Sequence, residues 1–359
     1  MRWDRVPDGC HHQKSYVIDD SLAFVGGVNL TREALSTPEH DSEGFHDLFV
    51  ELRGPAVADV AHNFAQRWNQ ASETLARGLA FPDPREAGPV PMPVPPQERE
   101  AAGSLVVHVQ RTIRRHLYRG PAGWPGEREF DIDGGDRGVR SSLLGHIDAA
   151  RRSLYIENQF LMDPDTIDAI GRAATRGVEV IAVVPLEPDR NLLLYPEERM
   201  RETRAALKRL AEIGPGVGLF GLARRDDPKS AIYVHAKLMI ADDESLCIGS
   251  ANLWPPSYFR DSELQVDIPD EALATETRLR LWKEHGAGEH PRRLSDWQDL
   301  GREGRDARER GRPMPSRIVA IDPREYYRFP EGLEAPWKAV SRSHDSPELA
   351  EAPNRRTGK

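Results

Sequence analysis

A chain of 359 residues and 40.3 kDa is long enough for two ordinary domains, or one large duplicated one, with real cores. Its 38% hydrophobic and 30% charged residues and mean hydropathy of −0.60 describe a soluble globular protein, while a formal net charge of −9 argues against bulk-electrostatic nucleic-acid binding. The two cysteines, Cys10 and Cys247, lie far apart and exclude a disulfide scaffold or a cysteine-based zinc site, and no stretch approaches the ~18 consecutive apolar residues of a membrane span.

In chain order, residues 16–19 and 22–27 read as two strands joined by a polar turn. The run Asp47-Leu48-Phe49-Val50 leads into a helix ending at Trp68. Seven prolines between positions 82 and 96 cannot sustain helix or sheet and predict an extended linker over residues 81–103. Beyond it, residues 139–152 place Leu143, Leu144, Ile147 and Ala150 at helical spacing, and Leu154-Tyr155-Ile156 reads as a strand. A short amphipathic helix over 165–176, a buried strand over 178–184, a charged helix over 197–213 and a strand over 217–222 follow. Two further strands, over 238–241 and 245–250, precede Glu263-Leu264-Gln265-Val266 and a helix ending at Trp282. From Gly286 the chain is arginine-rich, with the apolar run Ile318-Val319-Ala320-Ile321 and an aromatic patch at 326–329. That tail is expected to be partly helical and draped on the body, its last fifteen or so residues disordered. Strands alternating with helices of these lengths predict an α/β sandwich. The expected divisions are a first half (1–80), the linker (81–103), a second half (104–285) and the tail (286–359).

The strongest signal is an internal repeat. His12 and His235 are each followed by Lys at +2 (Lys14, Lys237), Asp at +7 (Asp19, Asp242), Gly at +14 (Gly26, Gly249) and Asn at +17 (Asn29, Asn252). Both copies then run into a strand and a tryptophan-ended helix, so the chain is a duplication whose shared core is this motif. His and Lys two apart on a strand project to the same face. The Asp at +7 falls in polar clusters that read as turns, so Asp19 and Asp242 are expected to be turn carboxylates. The glycines allow the chain to fold back and return the Asn amide towards the His-Lys face. Two His, two Lys and two Asn converging from symmetric halves suit a phosphate: the lysines are point-charge phosphate binders and the amides are neutral donors. One neutral imidazole can attack phosphorus while the other, protonated, serves the leaving alkoxide. No metal or nucleotide is required. His11 is out of frame, and His46, His62, His108, His116 and His146 lack a repeated partner, so all are read as ordinary histidines.

The paired H-x-K-x4-D motifs with their downstream G-G/S-x-N resemble the phospholipase D superfamily. The stretches Tyr155-Ile156-Glu157-Asn158-Gln159-Phe160, Arg260-Asp261-Ser262-Glu263-Leu264 and His46-Asp47-Leu48-Phe49-Val50 look more like phospholipase D proper and its bacterial relatives than the short nuclease branch. The resemblance covers about residues 3–285 and implies a duplicated αβα sandwich with the site between the halves. It implies a phosphohistidine intermediate, with His12 as nucleophile and His235 as general acid and then base, an assignment that the residues alone leave symmetric. It implies that Lys14, Lys237, Asn29 and Asn252 hold the non-bridging oxygens, and that Asp47 and Glu263 are the acidic residues that orient the histidines. Asn158 and Gln159 either line the pocket or cap a strand end. The implied substrate is a glycerophospholipid at a membrane surface, cleaved at its distal phosphodiester by water or by a primary alcohol; no nucleic acid is expected. The alternatives are a cardiolipin synthase-like phosphatidyltransferase and an inactive remnant acting as a binding module. Only eleven residues precede His12, whereas more than a hundred separate the linker from His235, so the first half is expected to be truncated and the true amino terminus missing. Without an apolar leader, the expected location is cytoplasmic, with peripheral membrane association and a homo-oligomer both compatible.

Overall fold

A computed structural model of the chain describes residues 9–34, 36–40, 44–70, 100–118, 121–122, 130–187, 197–288 and 293–326. Residues 81–99 of the expected linker and residues 327–359 of the tail lie outside these. The first repeat supplies β1 (Lys14–Ile18), β2 (Leu22–Gly26), β3 (Phe45–His46), β4 (Phe49–Arg53) and α1 (Ala56–Gln70). The second begins with β5 (His108–Ile113), a small hairpin of β6 (Pro121–Ala122) and β7 (Phe130–Asp131), β8 (Asp136–Arg137) and α2 (Gly138–Ala149). It continues through β9 (Ser153–Asn158), α3 (Pro164–Thr175), β10 (Glu179–Val183), α4 (Glu197–Glu212), β11 (Val217–Ala223) and β12 (Ala231–Val234). The chain then forms β13 (Lys237–Ala241), β14 (Ser245–Gly249), α5 (Pro255–Phe259), β15 (Glu263–Ile268), α6 (Glu271–His285), α7 (Leu294–Glu309) and β16 (Ile318–Ala320).

The result is a mixed α/β architecture of two facing sheets. One is an 11-stranded sheet ordered β3-β12-β11-β10-β9-β13-β14-β15-β5-β8, with β16 beside β11; the other is the three-stranded β1-β2-β4. The strands at the centre of the large sheet are buried along their whole length, which explains near-continuous apolar runs such as Leu238-Met239-Ile240-Ala241. Their alternation splits the core into two layers. Tyr155, Ile181, Phe220, Leu238, Ile240 and Ile248 face Ala23 and Val25 of the small sheet together with α6 and α7. Leu154, Ile156, Val180, Ala182 and Met239 face α2, α3 and α4. The first repeat therefore packs sheet on sheet against the second, over an apolar layer common to both.

The described part of the tail is more than a drape. In α7 the residues Leu294, Trp297, Gly301, Gly304 and Ala307 form one buried stripe, and β16 pairs antiparallel with β11. Trp297 is fully buried against Phe220, Tyr155 and Trp282. A Cβ at Gly304 would stand 2.0 Å from the Ile318 carbonyl oxygen, so only glycine admits this contact between helix and strand. The partly helical tail expected from the sequence is α7, whose buried face is built largely from small residues.

Both motif hairpins turn through the same device. Asp19 and Asp20 have φ of 48° and 52°, and Asp242 and Asp243 both have φ of 57°, the left-handed region that short polar side chains tolerate. The Asp242 carboxylate accepts hydrogen bonds from the backbone N–H groups of Arg151, Arg152 and Ser153 at 2.7–2.8 Å, tying the turn to the start of β9. Asp19 is exposed.

Candidate active site

His12 and His235 lie immediately before β1 and β13, and each is clamped by the opposite repeat. The His12 backbone N–H donates to the Ser262 carbonyl at 3.1 Å, and its Nδ1 lies 2.9 and 3.0 Å from the two carboxylate oxygens of Glu263. The His235 backbone N–H donates to the His46 carbonyl at 2.8 Å, and its Nδ1 lies 2.6 Å from Asp47 Oδ2. One arrangement is thus made twice. A carboxylate holds the imidazole side chain, and the carbonyl of the preceding residue holds the histidine backbone. A carboxylate only accepts, so each Nδ1 carries a proton and the lone pair of the neutral ring sits on Nε2.

β3 places the Asp47 end of this clamp. It leaves the first repeat to pair with β12 of the second, Phe45 opposite Tyr233 and His46 opposite Val234. The Phe45 ring then stacks on His235, with centroids 5.4 Å apart and an interplanar angle of 25°. A Cβ at Gly27 would fall 2.2 Å from Asp47 Oδ1, so the glycine leaves room for that carboxylate. In the second repeat the equivalent residue is Ser250, whose hydroxyl donates to Glu263 Oε2 at 2.5 Å, while the Ser257 hydroxyl donates to Oε1 at 2.5 Å. Glu263 is therefore held by two hydroxyls as well as by His12.

Both lysines turn back on their own repeat. Lys14 Nζ donates to the His12 carbonyl at 2.7 Å, and Lys237 Nζ donates to the His235 carbonyl and, at 3.0 Å, to Gln159 Oε1. Burial lowers the pKa of Lys14, and burial pushes that of Lys237 down to about 7. His235 is pushed down to about 4 by burial first, then by Lys237 and, more weakly, by Lys14, against the opposing pull of Asp47. Lys14 of the first repeat therefore acts electrostatically on both His235 and Lys237 of the second. These three groups share one field.

The remaining sequence candidates separate. Gln159 reaches the site through Lys237 and donates to the Tyr233 hydroxyl at 3.0 Å. Asn158 is buried and spent on backbone: its Oδ1 accepts from Phe160 N and Leu253 N, both at 3.1 Å, and so fixes the loop that carries Asn252. Asn252 is buried with Oδ1 unpartnered among the described residues, whereas Asn29 is half-buried.

Sequence reasoning passed over a second buried cluster. His46, read as an ordinary histidine, has Nε2 at 2.6 Å from Glu157 Oε2 and Nδ1 at 2.9 Å from Glu284 Oε1. His285 Nε2 lies 2.8 Å from Glu157 Oε1, His40 Nε2 lies 2.8 Å from Glu284 Oε1, and the Tyr155 hydroxyl also donates to Glu157. The available signal was Glu157 itself, a carboxylate inside an otherwise apolar strand, which requires a buried partner. His40, His46 and Glu284, and separately His46, Glu157 and His285, bring metal-type ligand atoms within 4.8 Å of one another. At these separations, however, the nitrogens and carboxylates satisfy each other as hydrogen-bonded pairs. A third grouping, His146, Cys247 and Asp267, lies on the opposite layer of the sheet.

Comparison with known proteins agrees with this geometry. Residues 143–283 match a family model described as "Cardiolipin synthase, PLD-like domain". The chain is 28% identical over 274 residues to cardiolipin synthase A of Pseudomonas aeruginosa, covering 76% of this chain and 45% of that protein. It is 26% identical over 365 residues to phospholipase D A of Dictyostelium discoideum, covering 77% of this chain and 27% of that protein. The chain thus spans less than half the length of either relative. The crystal structure of phosphatidylserine synthase from Haemophilus influenzae superposes with a TM-score of 0.55 at 13% identity, over 94% of this chain and 69% of that one, and so shares its fold. Residues 143–283 thus carry a PLD-like domain, and the motif repeated in both halves and the shared fold agree with that match.

Proposed function

We propose that the chain cleaves a phosphodiester by double displacement at one site shared by its two repeats, with glycerophospholipids at a membrane surface as substrate. The observation that carries this reading is the reciprocal clamp: each histidine has Nδ1 on a carboxylate of the opposite repeat, which leaves Nε2 for chemistry. His12, 22% exposed against 7% for His235, is the imidazole open to in-line attack. Its Nε2 bonds to phosphorus as the bond from phosphorus to the leaving oxygen breaks, and His235 gives that oxygen its proton. Water or a primary alcohol then loses a proton to His235 and attacks phosphorus, and the N–P bond breaks to regenerate His12. Lys14 and Lys237 neutralise the non-bridging oxygens, with Asn29 and Asn252 as neutral donors. The entering phosphodiester supplies the negative charge that allows His235, held down to about 4 by burial and by Lys237, to carry a proton.

The relatives named cardiolipin synthase favour a second reading of the second step, in which the acceptor is a primary hydroxyl of another glycerophospholipid. None of the helices among the described residues is long and apolar enough to cross a membrane, so contact with lipid is proposed at the surface. The test is incubation with phosphatidylglycerol vesicles followed by lipid chromatography. Phosphatidic acid identifies the hydrolase and cardiolipin the transferase. Folded protein that yields neither overturns the proposal in favour of a binding module.

A further inference from the structure

The buried cluster around His46 has no part in the chemistry above, yet it is covalently continuous with it. His46 precedes Asp47, and its carbonyl accepts the backbone N–H groups of both His235 and Ala236, at 2.8 and 3.0 Å. Its ring is 3% exposed and stands between two acceptor-only groups, Glu157 on β9 and Glu284 on α6. Both nitrogens must therefore donate, and the ring is an imidazolium. Burial alone would favour the neutral ring, but the charge of Glu157 and the hydrogen bonds to both carboxylates override it and push His46 up to about 10. The same forces hold Glu157 and Glu284 well below the usual carboxylate range.

The two repeats differ at this position. Where the first repeat has His46 before Asp47, the second has Ser262 before Glu263, and among the described residues the Ser262 hydroxyl meets only His11, at 3.1 Å. The Glu263 carboxylate is positioned by Ser250 and Ser257. Asp47 has no hydroxyl partner among the described residues; besides His235 it accepts only the Leu48 backbone N–H, at 2.8 Å. Each orienting carboxylate thus needs an anchor, and the two repeats supply different ones.

Resting on the phosphodiesterase reading, we propose that His46 is a positioning residue. Locked as a cation between Glu157 and Glu284 of the second repeat, it fixes the two-residue strand that sets Asp47 against His235, and so fixes His235 for proton transfer without touching substrate. The anchor also meets the other side of the site: Glu157 lies two residues before Gln159, which holds Lys237. Its loss displaces a general acid by a fraction of its working distance, a fault that appears in kcat rather than in substrate affinity.

The experiment compares His46→Gln with wild type and with Ile170→Ala, a fully buried core variant on the far layer of the sheet that controls for lost stability. Labelled-histidine NMR follows the Nδ1–H resonance of His235 without substrate, and vesicle assays give kcat and KM. In His46→Gln the resonance is expected to broaden into solvent exchange, with kcat lower by roughly 10- to 100-fold and KM little changed. Ile170→Ala is expected to lose stability but keep both. Glu284→Gln, which retains an acceptor oxygen and removes one charge, should act in the same direction more weakly and serves if His46→Gln does not fold. An unaltered His235 resonance in folded His46→Gln or Glu284→Gln overturns the proposal. Because the NMR measurement needs no turnover, it decides the point even if the wild-type chain cleaves no phosphodiester.

Discussion

Glu263 Oε1 stands 2.9 Å from His12 Nδ1 across 251 residues of sequence, so the first repeat's histidine is completed by the second repeat's carboxylate. Asp47 and His235 repeat the relationship in the opposite sense at 2.6 Å. Neither half holds a finished dyad of its own. The site is therefore a property of the packed pair of repeats, and the apolar layer joining Ala23 and Val25 to Ile240 and Ile248 is as necessary to it as the polar residues.

This exchange predicts a crossed pattern of perturbation. Asp47→Asn should alter the Nδ1–H resonance of His235 and leave that of His12, while Glu263→Gln should do the reverse. Each should lower kcat by on the order of 100-fold or more, through loss of orientation and of support for the charged ring. Histidine-selective NMR on the two variants checks the pattern.

Lys237 sets a pH dependence for anion binding. Burial has pushed its ammonium down to about 7, so the site holds the full cation below that value and loses it as pH rises through it. Sulfate keeps its charge over this range, and its affinity should fall across the window in wild type. In Lys237→Met the affinity should be weaker and flatter between about pH 6 and 8. Calorimetric titration measures both.

The cluster around His46 gives stability its own pH window. His46 is raised from its ordinary value of 6.5 to about 10, so its contribution is full below 6.5 and is lost as pH climbs towards 10. Glu157 and Glu284 are lowered from 4.5, so theirs is present above 4.5 and is lost as pH falls towards their folded values. The cluster contributes most between 4.5 and 6.5. Removing one partner of such a buried network costs about 3–5 kcal/mol. Thermal melts of wild type and His46→Gln should differ most in that window and converge on the alkaline side.

Two glycines make steric predictions that separate function from stability. Gly27→Ala drives a methyl onto Asp47 and should reduce activity far more than it reduces the melting temperature. Gly304→Ala drives a methyl onto the Ile318 carbonyl and should reverse the balance, costing about 1–3 kcal/mol through displaced backbone. Parallel melts and assays of the two variants check this.

The motif spacing carried most of the fold because it was written twice. His12 and His235, the hairpin turns at Asp19 and Asp242, and the strands and helices from residue 139 to 223 all followed from local periodicity. The origin of each partner did not. That Asp47 serves His235 and Glu263 serves His12 depends on how two sheets pack, and no local pattern encodes it. His46 was missed for a related reason. Its partners lie 111 and 238 residues away, and a lone histidine is ordinary until a buried carboxylate such as Glu157 requires a cation. The tail was legible as partly helical, but the bounds of the helix around Trp297 were not, since its buried face is narrow and mostly small.

The central claim is one phosphodiester-cleaving site that needs a histidine from each repeat. Its most direct test supplies phosphatidylcholine vesicles and dilute ethanol to wild type, His12→Ala and His235→Ala, and measures phosphatidylethanol. The account predicts phosphatidylethanol from wild type and none from either folded variant. Product that persists in one variant, or is absent from folded wild type, would contradict it.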